Sequence, residues 1–178
     1  DEVLTALARA RVLIIHGATG CGKSTQVPQF ILEAEAAAGR GGAASVVVTQ
    51  PRRISAVGVA ERVAAERGEP CGDVVGYTVR LDRKASRRTR LMFCTTGVLL
   101  RRLQSDPLLR DVTHVVVDEV HERSVECDLL LLLLRQALTR NDALKVVLMS
   151  ATLDAEAFAE YFARPMGGSA DGDDKGIG

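Results

Sequence analysis

The chain has 178 residues, 47% of them apolar and 26% charged, enough for one domain with a real core and little more. Its 23 basic and 23 acidic residues cancel, and no apolar run approaches the ~20 residues of a membrane-crossing helix. A disordered tail, a collagen-like repeat and a membrane role are thereby excluded. The four cysteines (Cys21, Cys71, Cys94, Cys127) stand apart with no C-x-x-C pair, so neither a zinc cluster nor a disulfide framework is indicated. With no leader-like opening either, an intracellular chain, cytoplasmic or nuclear, is expected.

In chain order the patterning predicts a helix over 2–8 and a strand over 12–15, then a helix over 23–38 closed by the glycines of 39–42. A strand over 45–49 and a helix over 53–67 follow, then strands over 74–79 and 91–95 and a helix over 97–104. After the Asp106-Pro107 turn come a strand over 114–117, a helix over 125–139, a strand over 145–149 and a helix over 154–162. Six leucines at 129–134 fit a buried helix turn or two. Several strands are unbroken Val, Ile and Leu without polar alternation, the pattern of strands covered on both faces. The expected fold is therefore α/β, a mostly parallel sheet with helices on both faces. The expected domain runs over 1–166, and the glycine- and aspartate-rich 167–178 reads as linker or tail. No internal repeat is present.

The neutral total hides an uneven distribution. Between 52 and 102 lie twelve basic and five acidic residues. Of the 23 cations 19 are arginine, whose flat fork of donors suits phosphate; a GC-rich genome would enrich arginine as well.

After the first strand comes Gly17-Ala18-Thr19-Gly20-Cys21-Gly22-Lys23-Ser24-Thr25, a G-x-x-x-x-G-K-[ST] pattern in the strand–loop–helix setting it requires. The glycines let backbone N–H groups approach phosphate oxygens, and the positive end of the helix starting at Lys23 faces the same anion. Lys23 is expected to reach the β and γ phosphates, and Ser24 to offer its hydroxyl to Mg²⁺. ATP or another nucleoside triphosphate is the expected ligand.

A second candidate site is the acid pair Asp118-Glu119 at the end of 114–117. Alone it could simply blunt a strand end. Beside a phosphate loop it acquires chemistry, because ligands of open parallel sheets sit beyond the carboxyl ends of the strands. Asp118 is expected to hold Mg²⁺, usually through water, and Glu119 to orient and deprotonate the attacking water. His121 reads as a partner of the acids, a partner of a second domain, or a surface histidine. His16 and His114 border strands and receive no role.

Taken in order, these segments resemble the first RecA-like domain of the DEAH/RHA family of superfamily 2 RNA helicases, a P-loop NTPase fold. The phosphate loop resembles motif I, Thr49-Gln50-Pro51-Arg52-Arg53 motif Ia, and Gly76-Tyr77-Thr78-Val79-Arg80 the segment before the hook turn. Thr95-Thr96-Gly97 resembles motif Ib, Asp118-Glu119-Val120-His121 motif II, and Ser150-Ala151-Thr152 motif III. Six motifs in the right order are more specific than any one. Two positions depart from the family pattern: Val120 replaces the alanine of the DEAH box, and Ala18 stands where an acid is common.

The resemblance implies NTP hydrolysis coupled to 3′-to-5′ movement along single-stranded RNA. It implies nucleotide contacts from Gly17, Thr19, Gly20, Cys21, Gly22, Lys23, Ser24 and Thr25, and stacking of Arg62 on the base. Arg52, Arg53, Arg80 and Thr95 would lie along the RNA backbone, and Ser150 and Thr152 would couple the two sites. Such a motor also needs a second RecA-like domain carrying Q-x-x-G-R-x-G-R arginines, a pattern this sequence lacks. By itself the chain is expected to bind ATP weakly, hydrolyse it slowly and unwind nothing. Half of a DNA-translocating superfamily 2 ATPase, or a catalytically inactive RNA-binding module, are the alternatives; intact Lys23, Ser24, Asp118 and Glu119 speak against the second.

Overall fold

A computed structural model of the chain describes residues 2–152 and 155–163, so the expected linker over 167–178 lies outside the described residues. In chain order the elements are α1 (Glu2–Arg9), β1 (Val12–His16), α2 (Lys23–Ala37), β2 (Val46–Gln50), α3 (Arg53–Glu66), β3 (Val75–Val79) and β4 (Asp82–Lys84). They continue with β5 (Leu91–Thr95), α4 (Thr96–Ser105), β6 (His114–Val117), α5 (Val125–Leu138), β7 (Lys145–Ser150) and α6 (Ala155–Ala163). A 3-10 turn occupies Val120–Glu122.

The strands form one sheet in the order β1-β7-β6-β2-β5-β3-β4. Every pairing is parallel except that of β3 with β4. The reason lies in the side chains of the central strands. All five residues of β2 are buried, and successive side chains point to opposite faces. Val46 and Val48 meet Ile31, Ala56, Ala60 and Val63 of α2 and α3, whereas Val47 meets Leu99, Leu103, Leu130 and Leu134 of α4 and α5. The same division recurs in β7, with Val147 and Met149 on one side and Val146 and Leu148 on the other. An unbroken apolar strand thus serves two cores at once.

The helices show the complementary period. Within α5, Leu130, Leu131 and Leu134 are buried, while Leu129 and Leu132 are 46% and 41% exposed. The leucine run is therefore buried along one face only, because a 3.6-residue turn rotates its neighbours into solvent. In α3 the inward positions are Ala56, Ala60, Val63 and Ala64, small side chains that let the helix lie close on the sheet.

Two elements escaped the sequence pattern: the 3-10 turn and β4. The latter consists of Asp82, Arg83 and Lys84, all exposed, with no apolar signal to mark a strand; charge on an edge strand also discourages further pairing. It closes a hairpin with β3 through Leu81, which has φ +65° and is 94% exposed.

The hairpin leaves no room at Gly76. A Cβ there would lie 2.5 Å from the Lys84 carbonyl oxygen, 3.2 Å from Thr89 Cγ2 and 3.3 Å from Ala85 Cα. Two of those three atoms are backbone and cannot swing away. Gly76→Ala is expected to cost about 1–3 kcal/mol by overpacking. Gly58→Ala on the exposed side of α3, where nothing lies within 4 Å, should gain up to ~1 kcal/mol from helix propensity. Urea unfolding midpoints of the two variants check both signs.

Candidate active site

Six parallel strands end on the same edge of the sheet. Along it the ends run from Gly17 after β1, through Ser150 of β7, Asp118 after β6 and Gln50 of β2, to Thr95 of β5 and Arg80 after β3. The phosphate-loop and acid-pair residues occupy the β1-β7-β6 side, and the arginines and Thr95 the β2-β5-β3 side. Of the sequence-predicted residues, all but Arg62, which lies within α3, therefore fall on this edge in two adjoining groups.

The loop from Gly17 to Gly22 depends on glycine at three places. Gly20 and Gly22 have φ of +81° and +88°, which side chains rarely adopt, and a Cβ on Gly17 would sit 3.2 Å from Cys21 Sγ. Gly22 caps α2 with its carbonyl, which accepts from Thr25 N–H at 3.2 Å and Gln26 N–H at 2.8 Å, and no side chain caps the N–H groups before them. The Lys23 ammonium arches back over the loop and donates to the carbonyls of Gly17 at 2.5 Å and Ala18 at 2.9 Å. Thr25 donates its hydroxyl to Gly22 O at 3.1 Å. A hollow of backbone donors, a helix N-terminus and an ammonium together make an anion site.

The loop is tied to the next strand: Gly17 N–H donates to Ser150 O at 3.2 Å. Ser150 is 1% exposed, and its Oγ accepts from Thr152 N–H at 3.2 Å and lies 3.4 Å from Thr152 Oγ1.

Beyond β7, the Asp118 carboxylate is only 4% exposed. A buried carboxylate requires donors, and it has two: Glu119 N–H reaches Oδ1 at 2.9 Å and Gln50 Nε2 reaches Oδ2 at 2.5 Å. The chain then turns sharply, with Glu119 and Arg123 in left-handed conformations (φ +55° and +47°) on either side of the 3-10 turn. Such conformations persist for non-glycine residues only where the surroundings hold them. Here the hold is Val120, fully buried in the α4–α5 core. The valine that departs from the DEAH alanine thus points into the core and away from the acids.

Glu119 is half-buried, and burial first, with the neighbouring Asp118 charge second, pushes its carboxyl above the ordinary range; His121 and Lys23 pull the other way. His121 Nδ1 lies 3.2 Å from Ala151 N and 3.4 Å from Glu119 Oε2. With its proton on Nε2 the ring accepts from Ala151 N–H, and with its proton on Nδ1 it can donate to Glu119. It bridges the acid turn and the end of β7.

On the other side, Arg52 and Arg53 are exposed at the start of α3, and Arg80 is exposed in the β3–β4 turn. Arg52 reaches Glu122 at 3.5 Å. Thr95 caps α4 with no side-chain hydrogen bond to the helix. Arg62 pairs with Glu66 at 2.7 Å, and Gln26 and Gln29 of α2 donate to the same carboxylate at 3.1 and 3.0 Å. Gln50 and Glu66 are the contacts to which the sequence reading gave no role.

The comparisons with known proteins now decide the family. The family described as DEAD/DEAH box helicase matches residues 1–160. The chain belongs to that family. Relatives include the DExH-box ATP-dependent RNA helicase DExH3 of Arabidopsis thaliana, 59% identical over 91% of this chain and 14% of that protein. The RNA editing associated helicase 2 of Trypanosoma brucei brucei is 54% identical over 91% of this chain and 7% of its own. The human ATP-dependent DNA/RNA helicase DHX36 is 50% identical over 90% of this chain and 16% of its own. The chain thus spans less than a fifth of the length of each. The family assignment agrees with the RecA-like expectation for the fold.

A carboxyl raised by burial destabilises the fold once ionised: the stabilisation present below its unfolded pKa is lost as pH rises through the folded one. Glu119→Gln is therefore expected to raise the melting temperature at pH 7. That gain should shrink towards zero below pH ~4, where the wild-type carboxyl is protonated in both states. Paired thermal melts across pH 3.5–8 check the sign.

Proposed function

We propose that this domain binds a nucleoside triphosphate with Mg²⁺, hydrolyses it, and couples hydrolysis to movement on single-stranded RNA in the 3′-to-5′ direction. It would do so as the first motor domain of an RNA helicase, together with a second RecA-like domain. The observation that carries the reading is the shared edge on which the Lys23 loop, the Asp118-Glu119 pair and the arginine row lie side by side.

The donor set suits Mg²⁺. It offers the Ser24 hydroxyl and one buried carboxylate, Asp118, and among the described residues no cluster of three or more His, Cys, Asp or Glu is arranged to hold a metal. Mg²⁺ is ordinarily held by one or two carboxylates, waters and the substrate's own phosphates. When bound it neutralises charge on the β and γ oxygens. Lys23 would leave the Gly17 and Ala18 carbonyls to donate to the same phosphates, while the loop amides and Thr25 complete the cradle. Glu119 would accept the proton of the attacking water as its oxygen bonds to the γ-phosphorus and the bridging β–γ P–O bond breaks, releasing the nucleoside diphosphate and inorganic phosphate. His121 would hold Glu119 against the end of β7, so that Ser150 and Thr152 feel changes at the acid pair.

Arg52, Arg53, Arg80 and Thr95 would contact the RNA backbone, a mode that depends on phosphate charge and carries little base preference. Arg62, clamped by Glu66, would stack on the nucleotide base. A second reading, movement on DNA, is favoured by one observation: the human relative is named a DNA/RNA helicase. Oligo(U) and oligo(dT) competing for the same protein separate the two. The four free cysteines support placement inside the cell.

Binding of a fluorescent ADP with Mg²⁺ tests the nucleotide site. Lys23→Ala should weaken binding at least tenfold. Glu119→Gln should bind as wild type and lose about 10²-fold or more in single-turnover phosphate release, the size of a general-base contribution. Equal loss of binding in both variants would contradict the division of roles.

A further inference from the structure

Asp118 and Gln50 form a buried pair across neighbouring strands. Asp118 is 4% and Gln50 3% exposed, and their side chains meet at 2.5 Å although 68 residues separate them in sequence. The parallel ladder sets this meeting, because β2 and β6 pair in register up to Thr49 and Val117, so Gln50 and Asp118 are the next residues on each strand. On its other side Gln50 is paired with Thr95 of β5. The Gln50 backbone is consequently held in the sheet, and its side chain is buried.

Its chemistry differs from that of an ion pair. Among the described residues no Lys or Arg lies within ion-pair distance of Asp118, and the two donors it has, a backbone N–H and an amide, are both neutral. A neutral donor fixes the carboxylate's orientation and leaves its negative charge available to a cation, whereas an arginine would compete for that charge. The following residues bring a second tie. Arg52, two positions after Gln50, reaches Glu122 beyond the acid turn at 3.5 Å. The turn from β2 into α3 is thus attached at two points to the segment that carries Asp118.

We propose that Gln50 is the positioning residue for the Asp118 carboxylate, holding it in the orientation that takes Mg²⁺, and that this makes the metal site depend on the β2–α3 turn. The inference rests on the proposed nucleotide function and adds to it a residue on the neighbouring strand that touches neither phosphate nor metal.

Gln50→Met keeps the length of the side chain and removes the donor; Gln50→Asn keeps a polar end one methylene short. The measurement is Mg²⁺ titration of fluorescent-ADP binding to the chain, with affinity in EDTA and the melting temperature recorded beside it. For Gln50→Met the half-saturating Mg²⁺ concentration is expected to rise about 10- to 100-fold, the usual cost of losing such a supporting contact. Affinity in EDTA should remain that of wild type. Gln50→Asn should shift in the same direction by less, and it carries the test if the methionine variant does not fold. A wild-type Mg²⁺ dependence in a folded variant overturns the proposal and leaves the nucleotide reading intact. A parallel loss of EDTA affinity and melting temperature would also overturn it, by assigning Gln50 a purely structural part. If the wild-type chain binds no nucleotide, both readings fall.

Discussion

Six strands running the same way place six strand ends on one edge of the sheet, and the chemistry of this domain follows from that alignment. At these ends polar groups replace the apolar run, and the ones that are buried, Gln50, Asp118 and Ser150, are hydrogen-bonded to neighbouring groups. The apolar strands do the complementary work, since Val46 to Val48 and Val115 to Val117 fill two cores while delivering Gln50 and Asp118 to the edge. The packing that stabilises the fold and the geometry of the site therefore share the same residues.

The edge divides by charge. On the β1-β7-β6 side stand the Lys23 ammonium, a helix N-terminus and the Asp118 and Glu119 carboxylates; on the β2-β5-β3 side stand the exposed Arg52, Arg53 and Arg80. Neither half is isolated from the other. Gln50 joins β2 to β6, Arg52 joins α3 to the acid turn, and His121 joins that turn to β7. Signals between a nucleotide and a nucleic-acid chain would have short distances to cross, each spanned by a single hydrogen bond or ion pair.

What the sequence disclosed and what it withheld differ in range. The phosphate loop was legible because its chemistry is local: glycine spacing, a lysine and a hydroxyl within nine residues, between a strand and a helix. The two-faced burial of the strands was legible because their runs lacked polar alternation. The three charged residues of β4 gave no such signal, since an exposed edge strand has no core to record. The leucine run of α5 misled slightly, because composition says nothing of which face a helix turns inward. Gln50 was visible as a letter of a motif but not as a partner of Asp118, a relation fixed only by the register of two strands 68 residues apart. Val120 is similar: its departure from the family alanine acquired a meaning only when the turn was seen to hang from the core.

The strand that launches the phosphate loop is the least braced of the parallel set. Among the described residues β1 has one neighbour, β7, whereas β6 and β2 each have two. The loop's attachment is therefore the five-rung ladder from Val12 to His16 and the single Gly17–Ser150 bond beyond it. Asp118, by contrast, is wedged between β7 and β2. The two sides of the edge consequently differ in bracing: the carboxylate follows a strand with a neighbour on each side, the phosphate loop a strand with one. A ligand seated there would rest between the two, and β7, paired with both β1 and β6, is the strand that the two sides share.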